Sequence, residues 1–100
     1  LHFNSLSDRR VKENIRNIEA PLEKVSQING VHFDYVGTGD SSIGIIAQEV
    51  EEVFPELIRG QYPKTVNYNG LIGLLIESVK ELKADNDSLR ARIENLEEKI

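Results

Sequence analysis

The residues that most often hold metals or form disulfides are scarce in this chain. There is no cysteine, and the two histidines, His2 and His32, lie far apart in the sequence. Zinc sites in proteins are built mostly from Cys and His ligands at short spacings. The sequence therefore predicts no metal site, no disulfide and no cofactor.

Nucleotide and nucleic-acid sites have no support either. Gly37 and Gly39 lack the strand–loop–helix setting and the trailing Lys-Ser/Thr of a phosphate loop. The tyrosines are too dispersed to form a platform on which bases stack: Tyr35, Tyr62 and Tyr68. The formal net charge is −5, whereas a nucleic-acid-binding domain usually carries a basic face. We expect neither nucleic acid nor an anionic membrane as a partner.

Ser7 and Lys12 could support nucleophilic chemistry, but their residue types alone also fit an ordinary structural role. Ser7 and Asp8 are typical of capping positions before a helix, and Lys12 is then a solvated surface charge. A serine followed five residues later by a lysine is common by chance. On the residues alone, both roles stay open.

The chain is small, and its hydrophobic pattern predicts an α+β fold. One hundred residues with 39% apolar content correspond to one small domain, which often needs extra stabilisation. Because metals and disulfides are excluded, association between chains is the expected source. The first residues lack the apolar core of a signal peptide, and a start at Leu1 rather than Met suggests a fragment of a longer protein.

The first half of the chain predicts short elements in alternation. Val11, Ile15 and Ile18 recur at helical spacing, and Pro21 suits the start of another short helix over 21–28. A two-turn helix is expected over 47–54, stopped near Pro55. Alternating or apolar runs predict short strands, at 31–35, 43–46 and 65–68.

The last third of the chain predicts a long helix, 69–100, with Asn69 as its N-cap. Apolar residues recur there at spacings of three and four through four heptads, which is typical of a coiled coil. We call these residues the seam: Ile72, Leu75, Val79, Leu82, Asn86, Leu89, Ile93, Leu96 and Ile100. The alternative is a long amphipathic helix folded back on its own domain.

Charges beside the seam favour parallel association. In a parallel coil Asp85 would face Arg90 of a partner helix, and Arg92 would face Glu97. Asn86 in the seam costs stability and fixes alignment. β-branched residues at the first heptad position with leucine at the fourth favour two strands, but Leu71, Leu74 and Ile76 widen the apolar face for a third helix or for the domain's own core. Dimer and trimer both stay open, with a slight preference for the dimer.

Three segments together resemble one known family. They are SDRRVKENI at 7–15, GIIAQEVEEVFPELI at 44–58 and KTVNYNGLIGLLIESVKELK at 64–83. Their order and spacing are similar to those of the intramolecular chaperone auto-processing domain, also called the endosialidase-type chaperone or peptidase S74 domain. The resemblance covers residues 7–83, and its most specific part is 47–58.

The resemblance implies a function in the assembly of trimeric fibres. Domains of this family end phage tail spikes, tail fibres and neck appendages, form homotrimers, help the preceding β-rich stalk to fold and then cut themselves off. It implies a trimer here, with 1–6 left from the upstream stalk, 7–68 as the chaperone domain and 69–100 as the trimerisation helix. The expected location is the host cytoplasm during virion assembly, with removal from the mature fibre.

The resemblance also implies the chemistry of cleavage. The catalytic serine and lysine of the family match Ser7 and Lys12, and the bond to be cut is then Leu6–Ser7. A serine hydroxyl needs a base to remove its proton, and lysine is a base only when burial or neighbouring cations lower its pKa. Arg9 and Arg10 are cations close in sequence. A cut at Asn4–Ser5 is a weaker alternative.

The spacing of Ser7 and Lys12 restricts how they can meet. Five positions along an α-helix rotate a side chain by about 140° from the starting face. Either the segment is extended or turned, or the two residues meet across protomers, which would make cleavage depend on assembly. The competing functions are an assembly module that does not cleave and a coiled-coil adaptor for a partner helix.

Gln48 and Glu49 lie in the most family-specific segment. One interpretation is that they grip the stalk or orient the cleavage segment. The preferred one is structural, with Gln48 bonded to local backbone and Glu49 a solvated helix residue. His32 is expected at the surface.

Overall fold

The fold is a small mixed domain followed by a long helix, which confirms the predicted α+β class. The computed structural model describes residues 4–100, so His2 and the first half of the predicted stalk remnant lie outside the described residues. The helices are α1 (Pro21–Val25), α2 (Ala47–Val53) and α3 (Tyr68–Glu98), with 3-10 turns at Arg9–Val11 and Pro55–Leu57. The strands are β1 (Val31–Asp34), β2 (Ser41–Gly44), β3 (Ile58–Arg59) and β4 (Thr65–Val66).

The strands form two separate antiparallel pairs. In the β1–β2 hairpin Val31 lies opposite Gly44 and Asp34 opposite Ser41, whose hydroxyl donates to Asp34 Oδ1 at 2.6 Å. Val31 and Phe33 are half-buried while His32 is exposed, which confirms the predicted alternation for these residues. The strand ends at Asp34, one residue before the predicted bound, and Tyr35 is 56% exposed. β3 and β4 are two residues each and pair Ile58 with Val66.

The prediction of a buried strand over 43–46 was wrong in its bounds and in its burial. The strand begins at Ser41 and ends at Gly44, and the side chain of Ile43 is 71% exposed. Ile43 lies opposite His32, on the hairpin face that points away from the domain, since successive side chains of a strand point to opposite faces.

The helix expected around Val11, Ile15 and Ile18 is absent. Only Arg9–Val11 form a 3-10 turn, and the chain then runs without regular structure to α1. Asn14 and Ala20 have φ of 55° and 48°, the left-handed conformation that a right-handed helix cannot contain. Helical spacing alone therefore misassigned this segment.

The core is small: its buried apolar residues lie on α2, on β3 and on the first half of α3, against which α1 packs. Val50 and Leu74 are 0% and 1% exposed, and Ile58 is also buried. Pro21 at the start of α1 is buried as well. Ser78 is 4% exposed, and within the described chain its hydroxyl has no hydrogen-bond partner.

The start of α3 is fixed by a cap and by close packing. Asn67, not Asn69 as predicted, is the N-cap, and its side-chain oxygen accepts the Asn69 N–H at 3.0 Å. The backbone N–H of Asn67 donates to the carbonyl of Leu57 at 2.8 Å. A Cβ added to Gly70 would overlap the methyl groups of Leu57, so the helix backbone can approach this close only with glycine.

α3 continues well beyond the domain. Its 31 residues span about 46 Å at the α-helical rise, and the molecule measures 63 × 40 × 31 Å. Every residue from Leu82 to Ile100 is exposed. Across the part of the chain that the structure describes, no helix is long and apolar enough to cross a membrane.

Candidate active site

The segment just before the first 3-10 turn lies against the N-terminal turn of α3. Together they form an open groove of about 490 Å³. Its walls come from both ends of the domain sequence: Ser5, Leu6, Ser7, Lys12, Asn67, Asn69, Gly70 and Ile72. The groove therefore holds the bond that the sequence predicts to be cut and both predicted catalytic residues.

Ser7 and Lys12 are in contact within one chain. Lys12 Nζ donates a hydrogen bond to Ser7 Oγ at 2.8 Å. Asp8 and Lys12, which flank the 3-10 turn, both have extended backbone. The turn reverses the direction of the chain between Asp8 and Lys12. It therefore brings Ser7 and Lys12 together, although a spacing of five residues would separate them on an α-helix. Of the two arrangements left open by the sequence, the structure has the turned segment.

Asp8 stabilises this turn and also pairs with Arg10. Its Oδ1 accepts the backbone N–H of Arg10 at 2.8 Å, and its Oδ2 pairs with Arg10 Nη2 at 2.8 Å. The Arg10 side chain lowers the pKa of Asp8 below its ordinary value, and Asp8 raises that of Arg10. Asp8, not Ser7, is thus the N-cap of the 3-10 turn. The Ser7 hydroxyl is hydrogen-bonded to Lys12 instead. Arg10, one of the two cations considered as neighbours of the lysine, is paired with Asp8.

Both members of the pair lie at the surface of the single chain. Ser7 and Lys12 are exposed. The hydrogen bond holds the two side chains close together, but it does not by itself remove the proton of the serine. The geometry of the single chain supplies proximity between the proposed nucleophile and the proposed base, with both side chains exposed.

A second contact holds the segment on the other side of the bond. Asn69 Nδ2 donates to Ser5 Oγ at 2.8 Å, between residues 64 positions apart. Sequence reasoning missed this role, because Asn69 looked like a helix cap. No periodic pattern connects a residue in the first turn of α3 to one near the N-terminus, so the sequence held no signal for it.

Glu49 has a structural partner that the sequence did not indicate. Its carboxylate accepts the backbone N–H of Asn29 at 3.0 Å and the Asn29 side-chain amide at 3.2 Å, which ties α2 to the turn before β1. Glu49 lies on a helix, as predicted, but it is half-buried and hydrogen-bonded, so it is less solvated than expected. Gln48 is exposed, and neither residue lines the groove.

The seam is exposed along its whole length. Its apolar members are each more than half exposed, from 53% for Leu89 upward, and Asn86 is exposed too. The alternative of a helix folded back on its own domain through the seam is therefore excluded. Leu74 packs inside the domain, while Ile76, also considered for it, is 55% exposed.

The flanking charges of the distal helix have no partner within the described chain. Lys80 pairs with Glu77 and Lys83 with Asp87 along the helix. Among residues 4–100, Asp85, Arg90, Arg92 and Glu97 form no ion pair. In the same residues no cluster of His, Asp and Glu is arranged to hold a metal ion.

The chain is similar in sequence to several known proteins. The family model described as "Chaperone of endosialidase" matches residues 7–59. The long tail fiber protein Gp37 of Enterobacteria phage K3 is 37% identical over 105 residues, which cover 94% of this chain and 8% of that protein. Gp37 of Enterobacteria phage T2 is equally similar, and Gp37 of Salmonella phage S16 is 30% identical over 109 residues. The chain spans less than a sixth of the length of these relatives.

Proposed function

Because this chain belongs to the chaperone of endosialidase family, we propose that it is the C-terminal chaperone of a phage tail fibre. In this role it would assemble as a homotrimer, promote folding of the upstream stalk of its own polypeptide during virion assembly, and then release itself by cutting Leu6–Ser7. The observation that carries the cleavage proposal is the 2.8 Å hydrogen bond between Lys12 Nζ and Ser7 Oγ.

The exposed seam supports trimerisation. Eight of the nine seam positions lie open on α3, and Ile100 lies just beyond its end. A parallel coil would cover their apolar side chains while pairing Asp85 with Arg90 and Arg92 with Glu97 of neighbouring chains. Burying a leucine contributes about 1.5–3 kcal/mol, so the seam stabilises an assembly much more than surface ion pairs do. The trimer, rather than a dimer, follows the family.

The proposed cleavage uses no group beyond this chain and water. Neutral Lys12 takes the proton of the Ser7 hydroxyl, and Ser7 Oγ forms a bond to the carbonyl carbon of Leu6. The Leu6–Ser7 C–N bond breaks as the lysine returns the proton to the Ser7 nitrogen, which leaves an ester between Leu6 and Ser7 Oγ. Water then hydrolyses this ester to a Leu6 carboxylate and a free Ser7 hydroxyl.

Assembly of the chains would shield the exposed Ser7–Lys12 pair from water. Ile72 borders the groove and is also the first residue of the seam. A partner helix packed on Ile72 would exclude water next to Lys12, and desolvation favours the neutral amine. Cleavage would then follow trimerisation, although both catalytic groups belong to the same chain.

Intact mass under denaturing conditions tests the cleavage. The full 100-residue chain is expected to yield a fragment of residues 7–100, whereas Ser7→Ala and Lys12→Ala stay whole. Ser88→Ala, which removes an exposed hydroxyl from the distal helix, is the matched control and should cut like wild type. Cleavage that persists in Ser7→Ala would refute the assigned nucleophile.

A second candidate function is an assembly module that does not cut. The exposure of Ser7 and Lys12 favours it, since catalytic lysines are usually desolvated or placed next to another cationic group. It predicts a stable trimer whose wild-type chains all keep residues 1–6, also when joined to a natural upstream segment. That result would be consistent with the chaperone function, but it would refute the assignment of Ser7 and Lys12 as a catalytic dyad.

A further inference from the structure

The hydrogen bond between Asn69 and Ser5 lies two residues from the bond that we propose is cut. From it we infer that Asn69 is a positioning residue, which holds the cleavage segment so that the Leu6 carbonyl stays within reach of Ser7. This inference rests on the proposed self-cleavage. It concerns a residue of α3 that belongs to neither the dyad nor the seam.

Asn69 is itself held firmly. Its backbone N–H is bonded to the Asn67 cap at 3.0 Å, and the Asn67 N–H is bonded to the Leu57 carbonyl at 2.8 Å. Gly70, the next residue, packs directly on the methyl groups of Leu57. The backbone of the first turn of α3 is thus tied to the domain on two sides, and from this turn the exposed Asn69 side chain reaches Ser5.

Ser5 and Ser7 are the two ends of the cleavage segment, and each is held by a different side chain. Ser5 Oγ accepts from Asn69 Nδ2 and Ser7 Oγ accepts from Lys12 Nζ, both at 2.8 Å. Extended chain advances about 3.3 Å per residue, so the Leu6 carbonyl lies between two fixed hydroxyls. Holding reacting groups close to the attack geometry accelerates reactions strongly, and small displacements slow them.

The residues around Leu6 give it little other support. Leu6 is 79% exposed, so packing of its own side chain does not fix the segment. Within the described chain, the Asn69 contact is the hydrogen bond that joins residues 4–6 to the rest of the domain. Its loss should let the carbonyl move relative to Ser7 without disturbing the core.

The experiment follows the rate of cleavage by intact mass in the full chain. Asn69→Ala and Ser5→Ala should each slow the cut by about five- to tenfold, the effect of one hydrogen bond. The double variant should be no slower than either single one, because the two residues act through one contact. Ser5→Thr keeps the hydroxyl and should restore a rate within about twofold of wild type.

A structural role alone predicts a different result. If Asn69 only stabilised the helix start, Asn69→Ala would lower the free energy of unfolding, Ser5→Ala would leave the rate unchanged, and the two effects would add. Either an unchanged rate in Asn69→Ala or additive effects in the double variant would overturn the inference.

A readout independent of cleavage separates the two proposals. In the uncut Ser7→Ala chain, adding Asn69→Ala should lower the NMR order parameters of the Ser5 and Leu6 amides, and unchanged values would overturn the positioning role. If wild type never cuts while these amides do loosen, the self-cleavage proposal fails, and with it any catalytic purpose for Asn69.

Discussion

The two halves of α3 have the same backbone and opposite surroundings. From Tyr68 to about Glu81 one face of the helix packs into the domain, with Leu74 and Ser78 buried. From Leu82 to the end every residue is exposed. Most of the stability of a helix in a protein comes from the packing of its apolar face. The first half of α3 has such packing within its own chain, and the second half has none.

The comparison shows that one helix carries two stripes of side chains with different surroundings. The seam runs through both halves without a change of spacing, yet the side chains that pack inside belong to another stripe, Leu71, Leu74 and Ser78. In the first half the helix carries two faces, one packed on the domain and one, the seam, that is exposed. In the second half only the seam remains.

The largest effect is expected from the distal seam. The double variant Leu89→Lys and Leu96→Lys places charges where a coil would bury leucine. Burial of each leucine would stabilise the assembly by about 1.5–3 kcal/mol per chain. We expect the mass in sedimentation equilibrium to fall from three chains to one. The control, Ser88→Lys with Ala91→Lys, adds the same charges off the seam and should stay trimeric. A trimer that survives the seam change would disprove the coiled coil.

A smaller effect is expected in the proximal half. Leu74→Ala empties a fully buried position and should lower the free energy of unfolding by about 3 kcal/mol in urea titrations. Val36→Ala, at a fully exposed position, should change it by less than about 0.5 kcal/mol. Equal effects from both variants would mean that the core is not where the structure has it.

The smallest effects sharpen the comparison within the proximal half itself. Gly70→Ala should destabilise the domain by about 1–3 kcal/mol because its methyl group meets Leu57. Gly73→Ala places a methyl group at ordinary contact distance, 3.7 Å from Ile18, and should stabilise by about 0.5–1 kcal/mol through helix propensity. Thermal melts of the two variants should therefore shift in opposite directions, and shifts of one sign would contradict the packing of Leu57 on α3.

Patterns with strong periodicity were predictable from the sequence, and contacts between distant segments were not. The heptads of α3, the alternation of β1 and the two turns of α2 all follow from local spacing. The same reasoning failed at Val11–Ile18, where left-handed backbone at Asn14 and Ala20 ends any helix despite favourable spacing. Ser7 and Lys12 were named through family resemblance, whereas Asn69 depends on a contact across 64 positions that no local rule encodes.

The position of Asn69 has a consequence for the separation of the products. After a cut at Leu6–Ser7, Ser5 would belong to the fibre and Asn69 to the chaperone. Their hydrogen bond, about 1 kcal/mol, would then join two separate polypeptides. One such hydrogen bond breaks readily. In a trimer, however, a single uncut chain would keep the cut ends of the other two chains close to the chaperone, at high effective concentration. The fibre would therefore separate only after the third cut, in one step rather than three.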